Sequence, residues 1–379
     1  MADYLTINDV EVDGLKVLVR SDLNVPLRDG DVGDDFRIRA ALPTLESLVR
    51  DGAEVTVCSH LGRPKWADPS LSLRPVAARM ATLTDLEIGF ENGGQITVLE
   101  NTRFLAGETD NAPEPAAWLA RRVDLFVQDA FGSVHRAHAS TVGVAERVRS
   151  VAGPLLDAEL TALGRFLDKP KRPYTVVLGG AKVSDKLGVI ANLLPHVDRM
   201  LIGGGMCFTF LVAKGVGVGE SLVQKDMVDA VRELIEGPDG RKIVLPVDIA
   251  IGDRFSEDAE RRVVAITEIP DGAFGLDIGP ETGAGFWELI DSSASVFWNG
   301  PMGVFEWEKF RNGTEQVARA MAASDRFTVV GGGDSAAALR LLGLDHSISH
   351  LSTGGGASLE LLEGRVLPGV AVLERWVNE

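Results

Sequence analysis

Short apolar runs rich in β-branched residues recur along this chain, and each stops at glycines or a polar loop before helical spacing takes over. Tyr174 to Leu178 (YTVVL) reads as a buried parallel strand. Gly179 and Gly180 break it, and a helix is expected from near Val183, with Ser184, Asp185 and Lys186 leading into Leu187, Val189 and Ile190. A strand that turns through glycine into a helix points free backbone N–H groups at whatever lies above the sheet, and the helix N-terminus favours an anion there. Lys182 and Lys186 are about one helical turn apart, so they can face the same way. The pattern suits phosphate; a tight turn with two solvated lysines is the alternative that this stretch leaves open.

The same alternation fills both halves. In the first, residues 15–20, 53–59, 96–100 and 125–128 read as strands, and 37–49, 73–81 and 113–122 as helices. In the second, strands are expected at 199–202, 242–246, 294–298, 327–330 and 348–352, with helices at 206–213, 336–342 and from Ala357. Alternation with short links implies parallel sheets covered on both faces. Residues 157–167 have helical spacing, a plausible N-cap in Asp157 and a proline-rich stop, which reads as a helix connecting two domains. The expected fold class is therefore α/β, with two Rossmann-like domains: residues 1–153, a connecting segment 154–172, and 173–363.

A chain of 379 residues is too long for one ordinary core and right for two. Its net charge of −17 argues against broad binding to nucleic acid or anionic membranes, and makes any local basic cluster stand out. Cys58 and Cys207 lie far apart in apolar surroundings, which disfavours a disulfide framework or structural zinc. No apolar run approaches bilayer length, and residues 1–14 carry neither a basic start nor an apolar signal core, so a cytoplasmic protein is expected. The acidic excess and the preference for Arg over Lys suit a salt-rich cytoplasm; an ordinary acidic enzyme is the alternative.

In parallel sheets the active crevice lies at the carboxyl ends of the strands. The strand ends of the first half carry Asp22 and Asn24, His60 and Arg63, Arg103, and then His135, Arg136 and His138, with Arg37 opening the first helix nearby. One such arginine alone is ordinarily just solvated. Together they read as a basic pocket for a small polyanion, since arginine forks suit phosphate and carboxylate.

The second half offers the complement. After the strand at 327–330, Gly331, Gly332 and Gly333 allow close backbone approach, and Asp334 stands at the start of a helix as either a Mg²⁺ ligand or a plain N-cap. There is no Walker A motif, no kinase catalytic-loop pattern, no dinucleotide fingerprint, no zinc-ligand spacing and no nucleophile triad context. A basic pocket beside a glycine-lined nucleotide pocket suits phosphoryl transfer, which needs positioning and charge neutralisation more than covalent chemistry. An acceptor that is already ionised needs no general base.

These motifs resemble the phosphoglycerate kinase family nearly from end to end. The resemblance rests on RSDLNVP (20–26), RIRAALPT (37–44), SHLGRP (59–64), LENTRF (99–104) and DAFGSVHRAHAST (129–141) in the first half. In the second it rests on LGGAKVSDK (178–186), IGGGMCFTF (202–210), LPVD (245–248), GLDIGP (275–280), WNGPMGVFE (298–306), GGGDSAAA (331–338) and STGGGASLELLEG (352–364).

The resemblance implies a glycerate-binding first domain, a nucleotide-binding second domain, hinge-bending closure, and a tail, 364–379, that returns to the first domain. It implies a transferase of glycolysis, a monomer, exchanging a phosphoryl group between 1,3-bisphosphoglycerate and ADP to give 3-phosphoglycerate and ATP with Mg²⁺. By motif, Asp22, Asn24, Arg37, His60, Leu61, Gly62, Arg63, Arg103, Arg136 and His138 are the implied glycerate ligands. Arg37, Lys182, Lys186 and Gly333 are the implied catalytic set. Gly180, Lys186, Gly204, Gly275, Gly303, Val304, Glu306, Gly332, Gly333, Asp334 and Ser335 are the implied nucleotide ligands, with Asp334 on the metal.

The sequence departs from that pattern in two places. Residues 86–98 are shorter than is usual, as though a helix were missing, and position 335 is Ser where Thr is common. A dinucleotide-dependent oxidoreductase would share the two-domain outline, but the fingerprint it needs is absent. A non-catalytic binding protein is disfavoured by the presence of Arg37, Lys182, Lys186 and Asp334.

Overall fold

Strands form where aliphatic and β-branched residues run without interruption, because both faces of a helix-covered parallel sheet are buried. Tyr174–Leu178 is buried at every position, as is Leu125–Gln128. The structure, a computed structural model, describes residues 3–323 and 325–377; Met1 and Ala2 of the expected leaderless start, and Asn378 and Glu379 of the expected tail, lie outside them. The chain divides into two compact units, residues 1–161 with 365–379, and residues 162–364.

The first unit holds β1 (Lys16–Arg20), a small hairpin of β2 (Leu27–Arg28) and β3 (Asp31–Val32), α1 (Phe36–Arg50), β4 (Glu54–Cys58), α2 (Arg74–Ala81), β5 (Ile88–Phe90), β6 (Asn92–Gly94), β7 (Ile96–Val98), α3 (Pro113–Ala120), β8 (Leu125–Gln128) and β9 (Ser150–Ala152). Its main sheet has the order β6-β5-β7-β4-β1-β8-β9, parallel except for the β5–β6 hairpin. Within the stretch expected to be short, residues 88–94 form two strands at the edge of this sheet. Arg20 is in register with Cys58 and with Gln128, so the loops after β1, β4 and β8 leave the sheet at one edge.

Helix α4 (Pro154–Leu167) contains the division between the units. It starts earlier than its spacing suggested, because Pro154 supplies a pre-set φ for a first turn. Asp157 therefore lies inside that turn rather than capping it, and accepts the Tyr4 hydroxyl at 3.0 Å. The cap is Asp129, whose Oδ1 accepts the amides of Leu155 and Leu156 at 2.8 and 3.3 Å. Phe166, near the other end of α4, packs its ring on Tyr174, Phe297 and Phe327.

The second unit holds β10 (Tyr174–Leu178), α5 (Leu187–Leu193), β11 (Arg199–Ile202), α6 (Cys207–Ala213), α7 (Val228–Glu236), β12 (Ile243–Val244), β13 (Asp248–Gly252), β14 (Arg262–Ala265), β15 (Phe274–Ile278), α8 (Pro280–Asp291), β16 (Ser295–Asn299), α9 (Asn312–Ala322), β17 (Phe327–Gly331), α10 (Gly333–Leu341), β18 (His350–Leu351) and α11 (Gly355–Leu362). A parallel sheet runs β12-β11-β10-β16-β17-β18, and a second, antiparallel sheet, β14-β13-β15, was not foreseen from the sequence. Asp248 opens that sheet instead of ending a strand. It is buried, and its carboxylate accepts the amides of Glu281 and Thr282 at the start of α8.

The tail belongs to the first unit. Helix α12 (Pro368–Ala371) and the turn after it bury Leu367, Val370 and Leu373; Gly369 donates to the Val134 carbonyl at 2.9 Å, and Trp376 Nε1 to that of Ala145 at 2.9 Å.

Candidate active site

In the first unit the aligned loops interlock. Arg37 Nη1 donates to Asp22 Oδ1 and to the Asn24 carbonyl, each at 3.0 Å. Asn24 Oδ1 accepts the Gly62 amide at 2.8 Å, and the Gly62 carbonyl accepts Arg103 Nη1. Both backbone polar groups of Gly62 are therefore spent on holding Asn24 and Arg103. The Leu61 side chain is buried in the apolar core, which leaves only its backbone facing the loops, and this is tied to Asn101 through both amide and carbonyl. Arg63 is exposed, and Arg103 Nε is buried with no hydrogen-bond partner among the described residues. Arg136 Nε and His135 Nε2 lie 2.9 Å apart. His138 is buried, and its carbonyl accepts the amides of Thr141, Val142 and Gly143.

The charge balance of these groups is lopsided. His60 is held well below the ordinary histidine range by burial first, then by Arg20, Arg103, Arg37 and His138. His138 is pushed down to about 4 by burial and then by Arg103, Arg20, Arg136 and His135. Each imidazole stays neutral because it is desolvated and, beyond that, because cations surround it, a field that an anionic ligand would relieve.

In the second unit the strand ends also align: Leu178 is in register with Ile202 and Asn299, and Asn299 with Gly331. Here the expectation of bare amides above the sheet needs correcting. Gly179 and Gly180 donate to the carbonyls of Asn299 and Pro301, and Gly204 to that of Met302. Glycine is required at 204, which has φ +63° and where a Cβ would stand 2.5 Å from the Gly180 nitrogen. The helix also begins later than expected, at Leu187, so Lys182 and Lys186 lie in the preceding turn and cap, not one turn apart on a helix face. Lys182 is exposed, whereas Lys186 is 9% exposed, with its Nζ 3.4 Å from where a Cβ on Gly180 would lie. Lys186 has no hydrogen bond or ion pair among the described residues, and burial lowers its pKa against the pull of Asp185 and Asp334.

A cavity of about 240 Å³ opens beside this turn. Gly180, Gly204, Gly275, Gly303, Val304, Glu306 and Asp334 line it; Lys182, Lys186, Gly332, Gly333 and Ser335 do not. Its apolar walls include Phe208, Leu222, Phe255 and Leu276, which the sequence reading missed. Helix α10 starts at Gly333, so Asp334 sits in its first turn, exposed, rather than at the cap. The first amides of that helix have no intrahelical acceptor, which suits phosphate. Ser335 is turned inward, its buried hydroxyl accepting the Gly300 amide at 2.7 Å, so its side chain braces the loop after β16.

Among the described residues no cluster of three or more His, Cys, Asp or Glu is arranged to hold a metal. A single exposed carboxylate at a helix N-terminus fits Mg²⁺ carried on nucleotide phosphates, which asks for only one or two protein carboxylates.

The family model described as phosphoglycerate kinase matches residues 7–365. The chain belongs to the phosphoglycerate kinase family. It is 54% identical to the phosphoglycerate kinase of Rubrobacter xylanophilus, with 98% of each chain covered, and 54% identical to that of Salinispora tropica, covering 96% of this chain and 97% of the relative. The phosphoglycerate kinase structure from Coxiella burnetii superposes with a TM-score of 0.89 at 39% identity, and that from Pyrococcus horikoshii with 0.86 at 31%; each covers 98% of this chain and 99% of its own. As a member of the phosphoglycerate kinase family the chain is a phosphotransferase with an α/β fold built on two parallel sheets. Among the described residues no helix is long and apolar enough to cross a membrane.

Proposed function

We propose that the chain catalyses reversible phosphoryl transfer between 1,3-bisphosphoglycerate and ADP, giving 3-phosphoglycerate and ATP in glycolysis. The observation that carries this is the basic cluster of the first unit. In a chain of net charge −17, Arg20, Arg37, Arg103, Arg136 and His138 lie close enough to perturb one another or His60. A small, multiply charged anion is the ligand such a field selects.

In this reading Asp22 and Asn24 meet the glycerate hydroxyl and carboxylate region. His60, Arg63, Arg103, Arg136 and His138 hold the rest of the anion, and the Leu61 and Gly62 backbone shapes the loop between. Arg37 reaches the transferring group. The carboxylate acceptor is already ionised, so no base is required. The nucleotide lies in the cavity beside Gly275 and Val304 with Glu306 on its ribose, and its phosphates meet Lys182, Lys186 and the amides of Gly332, Gly333, Asp334 and Ser335. Mg²⁺, held by Asp334 and the phosphates, supplies charge neutralisation when bound. Buried Lys186 is suited to meet the migrating phosphoryl group, because its desolvated ammonium gains most from an incoming anion.

A cytoplasmic monomer goes with this reading. The two buried free thiols, Cys58 and Cys207, suit a reducing compartment, and the acidic surplus suits a salt-rich one. Direct transfer requires the two ligands to meet with water excluded, so compaction in solution scattering is expected with both substrates present. The deciding experiment is a coupled assay for ATP formation from 1,3-bisphosphoglycerate and ADP across a range of salt. Absence of turnover at every salt concentration by well-folded protein overturns the proposal.

A further inference from the structure

Arg20 ends β1 one step before the loop that carries Asp22 and Asn24, and it is 1% exposed. A buried guanidinium ordinarily sits on a carboxylate. Each hydrogen bond of Arg20 goes to a neutral group instead. Nε donates to Ser140 Oγ at 3.1 Å, Nη1 to the Ser21 carbonyl, and Nη2 to His60 Nδ1 at 3.0 Å and to Ser133 Oγ at 3.3 Å. A balancing charge stands at one remove. Ser140, having accepted from Arg20, donates its own hydroxyl to the buried Glu108, which also accepts the Ser140 amide at 3.0 Å. One planar fork therefore ties together the loop after β1, the end of β4 and the loop after β8.

The bond to His60 carries a chemical consequence. Arginine has no lone pair to offer and can only donate. Nδ1 of His60 must accept, so the proton of the neutral ring is on Nε2. A protonated ring would face Arg20 N–H to N–H. We propose that Arg20 is a positioning residue of the anion site, which fixes His60 as the neutral Nε2–H tautomer and so presents a hydrogen-bond donor, rather than an acceptor, to the ligand. The choice matters because a carboxylate or phosphate only accepts: the other tautomer would aim a lone pair at an anion. The role in binding rests on the glycerate reading above; the tautomer does not.

The test uses the full chain labelled with ¹⁵N in its six histidines. Long-range ¹H–¹⁵N correlation spectra are recorded at pH 7.5, and the His60 ring is assigned by the signals lost in His60→Gln. The expected pattern is an unprotonated Nδ1 and a protonated Nε2. A Nδ1–H ring, or an average of both tautomers, overturns the proposal without any variant of Arg20. In Arg20→Lys, shown folded by its circular dichroism and melting curve, the His60 signals are expected to move toward a tautomer average. KM for 3-phosphoglycerate is expected to rise about tenfold, the size of one lost hydrogen bond to a charged group, while KM for MgATP holds. A His60 spectrum unchanged in Arg20→Lys overturns the positioning role. If the wild type turns over no substrate, the glycerate reading fails while the tautomer is still decided by the spectrum.

Discussion

One guanidinium nitrogen of Arg37 bridges the Asp22 carboxylate and the Asn24 carbonyl, at 3.0 Å to each. The Asp22 side chain is only 9% exposed against 30% for Arg37, so the carboxylate is the fixed partner and the arginine the one with room to reach. Helix α1 begins one residue before Arg37, which anchors its backbone while its fork stays at the rim. In the proposed function this arginine acts where charge develops. Arg37→Ala is expected to lower kcat by about 10²–10³, as removal of a transition-state donor does, with the Kd for MgADP unchanged. A near-normal kcat would contradict its assignment.

Lys186 sets stability against the role proposed for it. Its pKa is lowered by burial, so the folded chain holds its proton less tightly than the unfolded chain, and the charge is a cost to folding at neutral pH. Lys186→Met is expected to abolish most turnover and weaken MgADP binding, yet raise the melting temperature by about 2 °C. Calorimetry without nucleotide checks the sign; a lower melting temperature would mean that the ammonium stabilises the turn.

The neutral imidazoles make an acid-sensitive unit. The folded pKa of His138 is about 4 against an unfolded value near 6.5, so as pH falls from 6.5 toward 4 the unfolded chain takes up a proton that the folded one refuses. Stability from this group is complete above 6.5 and declines below it. Asp277 works in the opposite sense: burial raises it to about 8, so the folded chain keeps a proton that the unfolded chain loses above pH 4. The two are separated by comparing the wild type with His138→Gln. The variant is expected to gain stability relative to wild type as pH drops from 7.5 to 5 in urea melts; a difference independent of pH would rule out the shift.

Among the glycines that line the cavity, Gly275 leaves the least room for a side chain. A Cβ there would lie 2.0 Å from a ring carbon of Phe208, which is itself buried. Gly275→Ala is expected to drive that ring into the cavity, destabilising the chain by about 1–3 kcal/mol as overpacking does and weakening MgADP binding tenfold or more. Fluorescence titration and a melting curve read both effects, and wild-type affinity would show that the pocket has slack.

What could be read from the sequence follows what is local. Buried strands such as Tyr174–Leu178 and Leu125–Gln128 are continuous apolar runs, and their ends were found to the residue. The antiparallel sheet escaped because its apolar runs, 249–251 and 263–266, are only three and four residues long, and β14 is largely exposed. The edge strands at 88–94 were hidden by glycines. Of the proposed site, the charged residues on strand ends can be read from the sequence. The groups that aim them cannot: nothing in the spacing says that Ser335 turns inward, that Lys186 is buried while Lys182 is not, or that Glu108 meets Ser140 across 32 positions. Those pairings exist only once distant loops share one sheet edge.

The return of residues 365–379 to the first unit bears on the order of synthesis. The second unit is one continuous stretch, 162–364, and is complete in sequence before Arg365 leaves the ribosome. The first unit, begun earlier, must wait for Leu367, Val370 and Leu373 to cover its core and for Gly369 to dock on Val134, four residues before His138. Domains ordinarily mature in the order they are made; here the earlier-born half is the later to finish. A nascent chain halted before Arg365 would hold the second unit whole and a first unit whose loop after β8 is still unbraced.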